Sequence, residues 1–433
     1  MNFPLQFTFS NRVSSTSKAQ AQQSLLHLQN EIKSAANNSM NPFFCFSIQD
    51  SVIEDAQKLL NTVDVSQVKY VIQVGIGGMN LASKAMYSAL AGKFGFLERE
   101  SIKLLSLDTL DAPSLMSLTH IFENAGSEKE FLCIIASESG KTLETIANFE
   151  TLLASFSARF QSANARCIVL GQEASPLIAV ARSRGMTTAI IPQGVGGRFS
   201  AFTIAQVLPM LALRLPVTEY LQGARTVLEN VFLHEDSVKY LALQIQLYGK
   251  KYRIHDSFIF NQSVEDVGKW YRQLLAESTA RVVKRGDTET SVGVMPTVTM
   301  GTVDLHSQAQ LYFSGSATMK RFTTFLYARQ LPTQVRIDDT PITAIIPTIA
   351  GRSYKELMNA VYQGVLDSYR DCKLPFVAIE LPRSDASSLG AYFAFQMVQV
   401  CALCTVLDVS PFGQDKVEIY KEKTREYLGK LKK

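Results

Sequence analysis

Apolar and polar positions along the chain follow two alternating regimes. Short, nearly continuous apolar runs bounded by turn residues suit buried strands, and longer stretches with apolar residues three and four apart suit amphipathic helices. Gln20–Ala36 has helical spacing, with Leu25, Leu26, Leu28 and Ile32 on or near one face. From Lys69 the pattern predicts strands at Tyr70–Val74, Ile102–Leu107, Glu130–Ala136, Arg166–Leu170 and Thr188–Pro192. Helices are predicted from Asn80 to about Leu90, from Thr142 to about Phe160 and over Ala201–Leu213, and Leu215–Tyr252 reads as mostly helical. A second alternation follows. It has strands at Ser257–Asn261, Thr290–Thr297, Phe322–Tyr327, Ala344–Pro347 and Phe376–Leu381, and helices at Val264–Ala280, Tyr354–Ser368 and Leu389–Leu407. A further helix is expected to start over Val303–Leu311, and Gln414–Lys433 is a charged helical tail.

Strands alternating with helices mean βαβ units, a mainly parallel sheet and helices on both of its faces. The fold class expected is therefore α/β, with two three-layer αβα sandwiches in tandem. A helical N-terminal cover occupies residues 1–65, and the first α/β domain 66–215. A helical connector spans 216–252, the second α/β domain 253–408, and the C-terminal helical tail 409–433.

Composition narrows the function classes. A chain of 433 residues is too long for one ordinary core. Its formal net charge of +4 is small for this length, and no basic block or interleaved aromatic pattern points to nucleic acid or an acidic membrane. No segment reads as a membrane helix, and Met1–Asn11 lacks the basic start and apolar run of a secretory signal. Cys133 and Cys167 lie in strand-like runs. Cys401 and Cys404 form a C-x-x-C inside the apolar stretch Phe393–Leu407, with no second pair or histidine beside them. Buried reduced thiols are the expectation, and the cytoplasm is the expected compartment.

Candidate chemistry gathers where predicted strands end. Val195-Gly-Gly-Arg-Phe-Ser200 follows a strand and precedes a helix, so Arg198 stands at the mouth of an α/β sheet behind glycines that let a ligand approach. Its guanidinium offers a fixed fork of donors to an anion or to an oxygen that becomes negative during reaction. Gly75-Ile-Gly-Gly-Met79 also opens a helix, but Asn80 occupies the place of the third glycine of a dinucleotide fingerprint. A nicotinamide-dependent oxidoreductase has no other support. Ser137-Glu-Ser-Gly-Lys-Thr142 places hydroxyls and free N–H groups at a helix start, a setting that attracts phosphate. It lacks the first glycine of a P-loop, so ATP is not implied. Gln273 and Glu277 share a helix face, and a carboxylate there serves as a general base if it points into a cleft. His306 is suited to moving protons near neutrality.

Taken together and in this order, these stretches resemble the glucose-6-phosphate isomerase family, in its shorter bacterial form. V-G-I-G-G-S is met by Val74–Gly78 with Met79 for serine, and S-K-S-G-T-T-x-E resembles Ser137–Glu144. V-G-G-R-[FY]-S is met in full by Val195–Ser200, and W-x-x-Q-L-x-x-E-S closely by Trp270–Ser278. T-D-L-H-S is met at Asp304–Ser307, and N-P-F-D-Q-P-G-V-E-x-Y-K resembles Ser410–Lys421. The resemblance implies tandem sugar-isomerase domains and interconversion of glucose 6-phosphate and fructose 6-phosphate, with neither metal nor nucleotide cofactor.

It also implies roles for single residues. Glu277 moves the proton between C2 and C1, and Arg198 stabilises the enediolate. Gln273 positions the sugar, and His306 and Lys421 assist ring opening. Gly77, Gly78, Ser137, Ser139, Lys141 and Thr142 bind substrate, with the hydroxyl loop taking the phosphate. A homodimer is implied, with His306 reaching the site of the other subunit. The chain departs from the family at Met79, at Glu138, where the family has lysine, and at Lys416, where it has glycine. Glu138 is expected to weaken anion binding, and Lys141 to restore the charge. The alternative from another class is a non-catalytic sugar-phosphate-binding module on the same fold.

Overall fold

Two five-stranded sheets organise the computed structural model, which describes residues 3–98, 101–314, 319–330 and 335–431. The first sheet is built from β2 (Tyr70–Val74), β3 (Lys103–Leu107), β4 (Phe131–Ala136), β5 (Cys167–Gly171) and β6 (Thr187–Ile190). Its order is β3-β2-β4-β5-β6 and every pairing is parallel. Side chains alternate between its faces as the two-residue period requires. Leu132, Ile134 and Ala136 of β4 join the large central core, whereas Phe131, Cys133 and Ile135 face a separate cluster with Phe122, Phe149, Phe156 and Ile178. Both faces are covered by helices, as a parallel sheet demands.

The second sheet contains β1 (Gln6–Phe9), β7 (Ile254–Ile259), β10 (Met295–Met300), β11 (Arg321–Gln330) and β12 (Phe376–Arg383), in the order β1-β12-β11-β7-β10. Four strands run parallel, and β1 closes one edge antiparallel to β12, with Phe7 opposite Ile379. Its outer face packs Phe258, Phe325 and Phe376 against Tyr362 and Tyr369 of the helix Tyr354–Asp371. Its inner face, through Ile259, Leu326 and Ile379, shares the central core with the first sheet. The mainly parallel α/β architecture expected from the sequence is therefore the one observed.

Several local expectations need correction. Residues 1–65 do not form only a helical cover, because Gln6–Phe9 is a strand of the second sheet. The Thr290–Thr297 run spans the end of a hairpin, β8 (Arg281–Arg285) with β9 (Thr288–Val292), and the start of β10. Ala344–Pro347 is not a strand: Thr343–Ile345 and Pro347–Ile349 are 3-10 turns, with Pro347 at the start of the second. Among the described residues one helix, Ala386–Leu407, is long and apolar enough by composition to cross a membrane, contrary to the sequence reading. It is instead buried in the central core, where a 22-residue helix apolar on all sides belongs. Glycines let it cross the helix Val217–Asn230 closely: a Cβ on Gly390 would lie 1.8 Å from the Tyr220 carbonyl oxygen, and one on Gly223 1.9 Å from that of Ser387.

Candidate active site

Three turns meet above the carboxyl edge of the first sheet: those after β2, β4 and β6. Gly77 has φ +61°, and a Cβ there would lie 2.8 Å from Gln273 Nε2. A Cβ on Gly78 would fall 1.9 Å from the carbonyl carbon of Gly197, so glycine is required where the first and third turns touch. Buried polar groups hold this contact. The Gly78 carbonyl accepts from Ser200 Oγ at 2.7 Å and Gln206 Nε2 at 2.8 Å, and Gln206 Oε1 accepts from the Ser83 N–H at 2.8 Å. Met79 is buried and packs toward Gly197, so it replaces the family's serine with core packing.

The second turn is wound by its own hydroxyls. Ser137 Oγ accepts from the Gly140 N–H at 3.1 Å and lies 3.0 Å from Thr142 Oγ1, while Ser139 Oγ accepts from the Lys141 N–H at 3.3 Å. Gly140 supplies the positive φ of +64°. Thr142 stands at the N-cap of the helix Leu143–Arg159 without using its side chain as a cap, so the first-turn N–H groups keep their capacity for an anion. Ser139 and Lys141 are exposed at the mouth.

Glu138 turns the other way. Its Oε2 accepts from the Gly197 N–H at 3.1 Å, and its Oε1 lies 3.5 Å from Gln172 Nε2. Burial raises its pKa, against the Gly197 hydrogen bond and the nearby charges of Arg198 and Lys421. The carboxylate faces the arginine turn, away from the hydroxyls.

Arg198 is 5% exposed, and protein groups engage all five donors of its guanidinium. Nε donates to Ser278 Oγ at 3.0 Å; Nη1 donates to Glu277 Oε2 and Gln414 Oε1, each at 3.3 Å. Nη2 donates to the carbonyls of Pro411 at 2.5 Å and Gly413 at 2.9 Å. Burial lowers the Arg198 pKa, and Glu277 opposes the shift. Glu277 Oε1 accepts from Gln273 Nε2 at 3.3 Å, and its side chain is 30% exposed, so the carboxylate is partly open to solvent. Gln273 Oε1 is buried and makes no hydrogen bond among the described residues. Gly77, Gly78, Gln273, Glu277 and Arg198 are thus brought into one cluster, beside the Ser137–Thr142 turn.

Two sequence candidates lie apart from that cluster within one chain. His306 is exposed, at the C-cap of the 3-10 turn Val303–Leu305 that follows β10, and no ring hydrogen bond ties it to the cluster among the described residues. The helix expected to start at Val303 begins only at Ala309. Lys421 lies on the exposed helix Glu418–Lys430 and pairs with Glu418 at 2.8 Å. Its charge nevertheless reaches Glu138.

The sequence reading passed over Ser278, Gln414 and Arg281. Arg281 Nη1 donates to the Glu277 carbonyl at 2.8 Å, and its Nη2 to the carbonyls of Phe412 and Gly413, both at 2.8 Å. The one signal for it was spacing: Arg281 follows Glu277 by four residues and reaches the helix's last carbonyls.

A sequence profile described as phosphoglucose isomerase matches residues 60–432. Glucose-6-phosphate isomerase of Leptospira biflexa is 28% identical over 392 residues, covering 87% of this chain and 84% of its own. A probable glucose-6-phosphate isomerase of Haloarcula marismortui is 29% identical, covering 86% and 81%. Among solved structures, a hypothetical protein from Thermus thermophilus superposes with TM-score 0.81 at 21% identity, covering 97% of this chain and 100% of that one. A glucose-6-phosphate isomerase from Chlamydia trachomatis superposes with TM-score 0.77 at 16% identity, covering 99% and 89%. The last two likenesses concern the fold.

Proposed function

The chain belongs to the phosphoglucose isomerase family and is an aldose–ketose isomerase of glucose 6-phosphate and fructose 6-phosphate, and we propose that Glu277 moves the proton between C1 and C2. The observation that carries this assignment is the contact of Glu277 with both Arg198 and Gln273 at the foot of the glycine turn. A base needs an open carboxylate, and the partial exposure of Glu277 supplies it. The enediolate formed after proton removal carries charge only along the reaction path, so a guanidinium beside the base favours the transition state over the ground state. The sugar oxygens replace Gln414 at Arg198 Nη1 as that charge develops. Gln273, with its free buried amide oxygen, orients a sugar hydroxyl.

Ser137, Ser139, Lys141 and Thr142 hold the phosphate at the start of the helix Leu143–Arg159, remote from the reacting carbons. Ring opening needs a proton donor and acceptor at the ring oxygen. Lys421 approaches from the tail, and His306 comes from a second copy of the chain in a homodimer. The exposure of Val303 (66%), in the turn after β10, and of Ile342 (78%) and Ile345 (80%), in the segment between β11 and the helix Tyr354–Asp371, supports such a subunit contact. Six unbridged cysteines, five of them buried, support placement in the cytoplasm. The deciding experiment is a coupled assay of purified protein on fructose 6-phosphate. Turnover to glucose 6-phosphate is expected, and binding without turnover would overturn the reading.

A further inference from the structure

We infer that Glu138 is a positioning residue for this isomerisation: its carboxylate ties the phosphate turn to the arginine turn and so sets the distance between phosphate anchor and Arg198. The inference rests on the isomerase reading above. The base of the tie is rigid. The Ser137 N–H donates to the Leu170 carbonyl at 3.0 Å, and the Glu138 carbonyl accepts from the Gln172 N–H at 3.3 Å, so the backbone on both sides is pinned to the end of β5. The far end is equally constrained. Glu138 Oε2 accepts the N–H of Gly197, the residue whose backbone presses on Gly78 and which directly precedes Arg198. A Cβ on Gly197 would sit 3.9 Å from that oxygen and 3.5 Å from Gly78 Cα, so the carboxylate and both glycine turns share one contact. A lysine, which the family resemblance expects here, has no acceptor and cannot make this tie.

The same carboxylate is a poor neighbour for a phosphorylated sugar. Burial raises its pKa, while the Gly197 N–H and the charges of Arg198 and Lys421 favour its ionised form. When ionised, it offsets part of the positive charge of Arg198 and Lys421 before the anionic substrate arrives. Tether and charge act on different kinetic quantities. The tether aligns Arg198 with charge that exists only during reaction and so belongs to kcat, whereas the negative charge opposes the phosphate in ground and transition states alike and so belongs to KM.

The test compares wild type with Glu138→Gln, Glu138→Ala and Glu138→Lys on fructose 6-phosphate, with thermal unfolding recorded for each. Wild-type turnover establishes the isomerase reading independently of the variants. Glutamine keeps an acceptor for the Gly197 N–H and loses the charge, so kcat stays within about threefold of wild type and KM falls severalfold. Alanine and lysine lose the tether, and kcat falls about tenfold, the scale of one hydrogen bond. Wild-type kcat in the alanine variant overturns the inference, as does a glutamine variant that loses as much kcat as alanine. If Glu138→Ala does not fold, the glutamine and lysine pair carries the same comparison, and equal kcat in those two overturns it.

Discussion

Arg198 and Arg281 donate to the same oxygen, the carbonyl of Gly413, at 2.9 and 2.8 Å. Two guanidinium groups on one acceptor repel each other, and Arg281 adds to the lowering of the Arg198 pKa. The arrangement holds because the carbonyls of Pro411, Phe412, Glu277 and Ala280 and the Glu277 carboxylate supply compensating negative ends. The result is a clamp that fixes the 411–413 loop to the end of the helix Glu265–Thr279, next to its own Glu277.

Removing Arg281 should therefore act on Arg198 at one remove. In Arg281→Ala the loop loses its hydrogen bonds to the helix end, and Arg198 loses the shared acceptor's fixed position. A fall in kcat of about tenfold is expected, with KM within about threefold, because the phosphate turn is untouched. Steady-state kinetics on fructose 6-phosphate checks this, and a change confined to KM would contradict it.

Arg198→Ala addresses the enediolate role itself. Its partners are Glu277, Ser278, Gln414 and the 411–413 loop, and none belongs to Ser137–Thr142. The loss should fall on kcat by a factor of about a hundred to a thousand, as for other donors aimed at developing charge. If KM rises by that factor while kcat holds, Arg198 is a phosphate ligand instead.

Glu277→Gln separates chemistry from binding. The amide keeps the shape and, through its one oxygen, the contact with Arg198; its NH2 group cannot accept from Gln273 Nε2, and it cannot take a proton. Exchange of the substrate's C2 proton with solvent should fall below detection, while the affinity for sugar phosphate changes by less than about fivefold. Proton exchange at the wild-type rate would remove Glu277 from the role of base.

Much of the fold and of the cluster was legible because it depends on local rules. The run Tyr70–Val74 coincides with β2, since a strand buried on both faces is written as a nearly continuous apolar run, here broken only by Gln73, which bonds Ser83. Gly77, Gly78, Arg198, Gln273 and Glu277 stood out because a close turn needs glycine and a reaction needs a few specific charges. The edge strand Gln6–Phe9 was hidden because its short run is recruited by β12, far away in sequence. The direction in which Glu138 points was equally hidden. Its identity predicts a charge beside the phosphate turn, but only the approach of Gly197, on a separate turn, decides which partner the carboxylate takes.

His255 makes a prediction about stability rather than catalysis. It is 2% exposed, 2.7 Å from Thr324 Oγ1 through Nε2 and 3.2 Å from the Tyr271 hydroxyl through Nδ1. Burial pushes its pKa from the ordinary 6.5 down to about 3, so the folded protein keeps the ring neutral where the unfolded chain would protonate it. Between those two values the unfolded chain binds up to one more proton than the folded one. The contribution of His255 is therefore fully present above pH 6.5 and is lost as the pH falls toward 3, with a limiting slope of about 1.4 kcal/mol per pH unit. His255→Gln retains hydrogen-bonding groups and does not titrate. Urea unfolding of both proteins across this range should show a shallower decline for the variant, by up to that slope. Parallel declines would mean that His255 protonates in the folded protein as readily as in the unfolded chain, and that its burial in the second sheet does not resist charge.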